Sequence, residues 1–284
     1  MALIKVNELL KHATSNKYGV AAVNVFSYET IKFIIQAAEI ERTPIIIQFY
    51  PGFEKHISCR YVSYIAKDMA AKASVPIGIH LDHSHSYEIA VGGIRDGFPS
   101  VMIDGSAMPY EDNLQVTTDV VRVARVFGVD VEAELGHVGS GSNIDDIIDS
   151  SRYTSVEQAV DFVAKTGCDS LAVAVGNAHG VYIKEPKLDL ERIKALRAAI
   201  NVPLVLHGCS DIPDSYLQES VNLGMSKFNI ATEYDRAFYQ SFRKKIDMNE
   251  EKGSFFKLIG NSEESILDFL RGKIRLLNPN HYTV

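Results

Sequence analysis

The chain has little cysteine, no surplus of positive charge and no long hydrophobic run, and each shortage excludes a class of protein. Three cysteines occur, Cys59, Cys168 and Cys209, odd in number and far apart. No two form a Cys-x-x-Cys pair, which argues against a zinc ribbon and a disulfide framework and points to a reducing compartment. Lys and Arg number 29 against 36 Asp and Glu, a formal net charge of -7. Binding a polyphosphate backbone needs a basic surface, so no nucleic-acid partner is expected. No apolar run reaches the roughly 18 residues that span a bilayer. The first residues, Met1-Ala2-Leu3-Ile4-Lys5, lack the apolar core and cleavage site of a signal peptide. The expectation is a cytoplasmic protein with no membrane partner. Pro/Gly/Ser-rich linkers and shifts of composition are also missing, so residues 1–284 read as one domain.

What is present is core material, at 46% hydrophobic residues, arranged as an alternation of short apolar runs and helical patterns. The runs expected to be strands are Gly19 to Phe26, Pro44 to Phe49, Val75 to the Asp82-His83 pair, Ser100 to Ile103, Val129 to Leu135, Asp169 to Val175, Val202 to Leu206 and Lys227 to Ala231. Helical spacing is read over Val6 to Asn16, Tyr28 to Arg42, Ser58 to Ala73, Tyr87 to Asp96, Tyr110 to Phe127, Ser155 to Thr166, Leu188 to Ala199, Pro213 to Asn222 and Thr232 to about Asp247, with a further helix from Asn261 to Leu277. Gly97, Gly128 and Gly167 stand where helix stops belong. Near-continuous apolar strands suit a parallel sheet covered by helices. Eight strand–helix units close into an α/β (β/α)8 barrel, here with an extra C-terminal helix. The rival, an open doubly wound sheet, would show a Gly-rich turn after its first strand, and Phe26-Ser27-Tyr28-Glu29 is not one.

Three of the strands lead to histidine: the third to Asp82-His83, the sixth to His179-Gly180 and the seventh to His207-Gly208. Ending a core strand in carboxylate and imidazole is costly unless those groups are solvated, paired or bound to a metal. Barrel active sites gather at the C-terminal strand ends, so His83, His179 and His207 would share one mouth with Asp82, Asp104 and Glu134. Three neutral imidazoles with an open fourth position suit a catalytic zinc. Asp104 and Glu134 would either hold a second cation or orient the ligands, with a plain turn residue before Gly105 as the alternative reading of Asp104. His80, His85 and His137 stay outside the ligand set: His80 lies within the strand and packs beside the barrel, His85 begins the next helix, and His137 belongs to the long loop from Gly136 to Arg152. On the last strands, Gly180, Gly208-Cys209-Ser210 and Asn229-Ile230-Ala231-Thr232 place glycine and amide groups side by side. Successive backbone N–H groups there would make an anion nest, and a phosphate site after strands seven and eight is common in barrels.

These residues resemble a known family, the class II metal-dependent ketose-bisphosphate aldolases, in the branch acting on fructose and tagatose 1,6-bisphosphates. The pieces that carry the resemblance are IHLDH (79–83), GFPSVMIDGSAMPYEDN (97–113), VEAELG (131–136), DSLAVAVGNAHGVY (169–182), PLVLHG (203–208) and KFNIATE (227–233). The resemblance implies a zinc held by His83, His179 and His207, and a proton-transferring Asp82. It also implies a second cation at Asp104 and Glu134, and a monovalent cation near the phosphate. Asn24, Gly180, Gly208, Cys209, Ser210, Asn229, Ile230, Ala231 and Thr232 would contact a phosphorylated ketose. Cleavage would give dihydroxyacetone phosphate and an aldehyde such as glyceraldehyde 3-phosphate. The mobile loop after strand five would supply an acid, with Asp145 and Asp146 as the nearest match and Asp146 taken as the catalytic one. The resemblance further implies a homodimer or homotetramer. A Schiff-base aldolase would instead need a buried strand lysine, and strand six, DSLAVAV, has none.

The chain departs from the family pattern at the substrate side. Asp211 follows Cys209-Ser210, where a glycine is usual, and sets a negative charge near the expected nest. Gln48-Phe49-Tyr50 are larger than the usual residues after strand two and would narrow the mouth. The long loop lacks the usual double glycine. These departures leave open a shifted substrate, either a keto acid or a related phosphorylated sugar. A barrel that binds a sugar phosphate without turning it over is a further alternative, against which the retention of Asp82 argues.

Overall fold

The computed structural model describes residues 2–143, 149–249 and 252–284. Eight parallel strands close into a barrel in sequence order: β1 (Val20–Asn24), β2 (Ile45–Phe49), β3 (Ile77–Ser84), β4 (Ser100–Ile103), β5 (Asp130–Leu135), β6 (Ser170–Val173), β7 (Leu204–Leu206) and β8 (Met225–Ile230). Pairing of Ala22 with Asn229 joins β1 to β8 and completes the ring. Helix α1 (Val6–Asn16) precedes the barrel. Helices α2 (Tyr28–Glu41), α3 (Cys59–Ala70), α4 (Tyr87–Arg95), α5 (Tyr110–Phe127), α6 (Val156–Thr166), α7 (Leu190–Ala199), α8 (Asp214–Asn222) and α9 (Thr232–Asp247) each follow one strand, and α10 (Phe255–Leu277) is the additional C-terminal helix. Among the described residues no helix is long and apolar enough to cross a membrane.

Local chemistry sets these boundaries. Ser27 and Thr30 form a reciprocal capping box at the start of α2, and Ser86 and Ser155 cap α4 and α6. Gly128 and Gly167 end α5 and α6 at φ 66° and 65°, a conformation that costs glycine nothing. Helix α10 starts six residues before the expected Asn261, because the Ser254 hydroxyl accepts a hydrogen bond from the Lys257 N–H and opens the helix there.

Alternation along each strand divides the protein into two layers. Ile45, Ile47 and Phe49 of β2, with Ile77, Ile79 and Leu81 of β3, join the large core between barrel and helices. The intervening residues point inward. At the N-terminal end of the barrel, α1 covers the opening: Val6, Leu9, Leu10 and Ala13 pack with Val20, Ala22 and Ile46 in a separate buried cluster. Thr14 and Ser226 hydroxyls, 2.6 Å apart, and the Asn7 N–H on Asp130 fasten the helix to β8 and β5.

Farther up, the interior is polar. Lys227 Nζ lies 3.0 and 2.9 Å from the two carboxylate oxygens of Glu132. Because β5 and β8 are not neighbours, this pair crosses the barrel. His80 is fully buried beside it, 2.8 Å from the Ser100 hydroxyl and 3.7 Å from Glu132. The expectation that His80 packs beside the barrel is therefore corrected. It sits at an even position of β3, paired with Gln48 in register, and faces inward.

Candidate active site and metal centre

The third strand, expected to end in the Asp82-His83 pair, includes that pair and runs one residue further, to Ser84. Consecutive strand residues ordinarily face opposite sides. Here the pairing with β4 shifts register between Leu81 and Ser84, and His83 takes a φ of 21°. This bulge lets both Asp82 and His83 line the cavity at the barrel mouth.

His83, His179 and His207 converge, with ligand nitrogens all within 4.8 Å of one another. Asp104 holds His83 from the far side, with Nδ1 and Oδ2 2.9 Å apart, which leaves His83 Nε2 facing the group. His207 Nε2 is 2.9 Å from Glu132, so its Nδ1 faces inward, 2.8 Å from His83 Nε2. The His179 Nε2 is buried and makes no hydrogen bond. An unpartnered buried nitrogen aimed among two other imidazoles fits a divalent cation, and three imidazoles are a zinc-type donor set. His83, Asp104 and Glu134 form a second group within the same distance limit.

The electrostatics favour that reading. Burial opposes charge on His83, but Asp82, Asp104 and Glu134 outweigh it and push its pKa up to about 9. Burial, reinforced by His83, pulls His179 down to about 4. Burial with His83 and Lys227 holds His207 well below the usual imidazole value. One imidazole thus carries a proton where a cation would sit, and two are neutral donors. Burial and the charge of Asp104 push Glu134 up to about 8.

Asp82 is buried but not starved of partners. Asn24 donates to it at 2.9 Å and Asn229 at 3.3 Å, and Gln48 in turn holds Asn24 at 2.6 Å. Burial would raise its pKa, yet His83, His207 and Lys227 bring it below the ordinary aspartate value. It is an ionised carboxylate fixed beside the imidazole cluster, 3.9 Å from His83 Nε2.

The cavity measures about 490 Å³ and takes in Asn24, Gly180, Gly208, Ser210, Asn229, Ala231 and Thr232 as expected. Gly208 has a φ of 61°, and a Cβ there would stand 2.0 Å from the Ala178 oxygen, so no other residue fits. The Tyr182 hydroxyl ties the loops after β6 and β7 together, accepting from Ala178 N–H and donating to the Gly208 carbonyl. Ala231 and Thr232 begin the 16-residue helix α9, whose free N–H groups face an anion favourably.

Two expected contacts fall elsewhere. Cys209 and Ile230 belong to the outer core rather than the cavity, and the Cys209 N–H is already bonded to the Asn229 carbonyl. Alternation sends Ile230 outward between inward Asn229 and the mouth. Phe49 is likewise buried outward, so the narrowing of the mouth comes from Tyr50 and Phe53. His85 and His137 line the cavity without joining the imidazole group. Asp145 and Asp146 lie outside the described residues. Asp211 makes a bidentate pair with Arg236, both contacts 2.8 Å, so its charge is met by a guanidinium.

Glu132 and Lys227 match no local catalytic motif, and their one signal in the sequence is a charged residue beside an apolar one within a strand. Lys227 is a buried strand lysine of the kind a Schiff-base enzyme needs, but both Glu132 oxygens hold it and it does not line the cavity.

A profile of the family described as Fructose-bisphosphate aldolase class-II matches residues 4–281. The chain belongs to the class II fructose-bisphosphate aldolase family. Within it, the chain is 42% identical over 235 residues to a protein of Escherichia coli K12 called uncharacterized protein YdjI, covering 83% of this chain and 84% of that one. A crystal structure described as the YdjI aldolase superposes with a TM-score of 0.87 at 37% identity over 97% of both chains. The fructose-bisphosphate aldolase of Campylobacter jejuni, at 24% identity, shares the fold with a TM-score of 0.84 over 98% of this chain and 96% of that one. Membership of this aldolase family makes the chain a lyase.

Proposed function

We propose that this chain is a zinc-dependent aldolase that cleaves a ketose carrying a phosphate on C1, of the ketose 1,6-bisphosphate type or a close relative, into dihydroxyacetone phosphate and an aldehyde. The observation that carries this is the placement of ionised Asp82 beside three imidazoles, one with a buried unpartnered nitrogen. A barrel that merely binds a sugar phosphate has no use for that carboxylate.

His83, His179 and His207 would hold the zinc, and Asp104 and Glu134 the second cation that the resemblance implies. When bound, zinc supplies Lewis-acid stabilisation of the charge that develops on the ketone oxygen. Asp82 takes the proton of the C4 hydroxyl as the C3–C4 bond breaks, and Asn24 and Asn229 orient it for that task. The electron pair released to C3 is shared with the C2 oxygen. Return of a proton to C3 completes dihydroxyacetone phosphate, and Asp146 is the acid we assign to that step. Gly180, Gly208, Ser210 and the N-terminus of α9 would receive the phosphate, with the monovalent cation of the family placed near it. The free, buried Cys59, Cys168 and Cys209 support a cytoplasmic setting, and the family resemblance supports a homodimer or homotetramer.

The test is proton exchange. Zinc-loaded protein is incubated with dihydroxyacetone phosphate in heavy water, and the C3 proton signal is followed by NMR with a chelator control. Metal-dependent loss of one C3 proton is expected. A folded, zinc-loaded protein that leaves both C3 protons in place would overturn the proposal.

A further inference from the structure

We infer that the aldehyde released by this enzyme carries no phosphate, so that its ketose substrate is phosphorylated at C1 alone. The inference rests on the aldolase reading above and specifies its substrate class.

The two sides of the cavity differ in chemistry. In a closed barrel of eight strands β4 stands opposite β8. The anion-binding side, built on β7 and β8, offers Gly208, Ser210, Ala231 and Thr232 at the start of α9. A ketose seated there by its C1 phosphate and passing the imidazoles extends toward the loops after β2, β3 and β4. Those loops present Tyr50, Phe53, His85, Ser106 and Ala107 to the cavity. Tyr50 and Phe53 meet edge to face at 5.6 Å, and His85 stacks on His83 at 5.9 Å and reaches toward Asp104.

A phosphate dianion at the far end would need a guanidinium, an ammonium or a second nest of N–H groups. Among the described residues no lysine or arginine lines this cavity. The bases nearest in sequence are engaged or turned out. Arg236 is clamped by Asp211, and Lys273 is 2.8 Å from Glu233. Lys227 lies below the site on Glu132, and Arg152 pairs with Asp149. Lys55, Lys184 and Lys187 are exposed outside the cavity. Residues 144–148, in the loop after β5, read Ile-Asp-Asp-Ile-Ile and contain no base. The far side therefore offers aromatic edges, the hydroxyls of Tyr50 and Ser106, the His85 imidazole and carboxylates, with no lysine or arginine among the described residues. These suit the hydroxyls and carbon faces of an unphosphorylated aldehyde and repel a dianion.

The experiment runs in the direction of synthesis. Zinc-loaded protein is given dihydroxyacetone phosphate with either glyceraldehyde or glyceraldehyde 3-phosphate, and kcat/KM is compared between the two aldehydes. The proton-exchange assay is run on the same preparation. We expect exchange, and a preference of at least tenfold for the unphosphorylated aldehyde. Exchange with equal or better use of glyceraldehyde 3-phosphate overturns the inference and leaves the aldolase reading intact. Absence of exchange overturns both. A second variant reads the same point by gain: Ala107→Arg, at an exposed position of the mouth, should shift the ratio toward glyceraldehyde 3-phosphate by tenfold or more. An unchanged ratio would show that the far side of this cavity is not where the aldehyde terminus lies.

Discussion

Lys227 of β8 and Glu132 of β5, two strands that are not neighbours, meet inside the barrel with two contacts of 3.0 and 2.9 Å, and neither side chain touches solvent. Glu132 also takes the Nε2 hydrogen of His207. The lysine thus neutralises the carboxylate that fixes which His207 nitrogen faces the metal centre. Such partners commonly change metal affinity 10- to 100-fold.

Lys227→Met should act on both stability and metal binding. Leaving Glu132 buried without its cation is expected to cost about 3–5 kcal/mol, read as a lower midpoint in chemical denaturation. Zinc titration of the still-folded variant should show affinity weaker by about tenfold or more. A folded variant with unaltered zinc affinity would reduce Lys227 to a packing element.

Asp82→Asn separates chemistry from binding. The amide keeps the shape and the neighbours Asn24 and Asn229 but cannot accept the proton. Turnover should fall by about 10²–10⁴-fold, while zinc content stays at the wild-type level. Loss of less than tenfold in turnover would remove Asp82 from the acid–base role.

Zinc affinity should depend on pH through His83. In the metal-free protein His83 holds a proton up to about pH 9, and a cation has to displace it. Affinity should rise with pH, by about tenfold per unit, and level off near pH 9. Calorimetric titration in buffers of different ionisation enthalpy would count the proton released. No release at pH 7 would contradict this.

Glu41 gives a stability effect remote from the site. Its side chain is buried, and burial works against its charge, but hydrogen bonds from Arg275 and Arg271 of α10 prevail and lower its pKa. A depressed carboxylate stabilises the fold fully above its unfolded pKa of about 4.3. That contribution fades as pH falls through the folded value. Glu41→Gln should therefore be less stable than wild type at pH 7, by about 1–3 kcal/mol, and the gap should close as pH falls below the ordinary glutamate range. A gap independent of pH would assign the effect to packing.

The barrel was legible because its outer strand positions are apolar and its helices carry ordinary caps and stops. The imidazole trio was legible because three strands lead to histidine, whatever the loops do. The polar interior was not. Strands of three to eight residues offer too few inward positions for Gln48, His80, Glu132 and Lys227 to look like anything but interruptions. Nor does a strand announce which neighbour faces which way. Phe49 and Tyr50, or Asn229 and Ile230, part company by one residue's rotation. The bulge at Asp82-His83 escapes pattern reading altogether, since it breaks the alternation on which such reading depends. The fate of Asp211 turned on Arg236, 25 residues on, which no local motif connects to it.

The plug formed by α1 has a consequence for how the molecule assembles. Its fastening to β8 joins Thr14 to Ser226, 212 residues later in the chain. Helix α1 therefore has no complete docking site until β8, far later in the chain, exists. The imidazole cluster is bound by the same schedule, since Lys227 and Glu132 brace His207 only after β8 has closed the ring. With such distant pairings, folding of this protein is expected to be slow and to finish in one late step. Zinc capture belongs after that step, so chains cut short before β8 should fail to hold the metal at all.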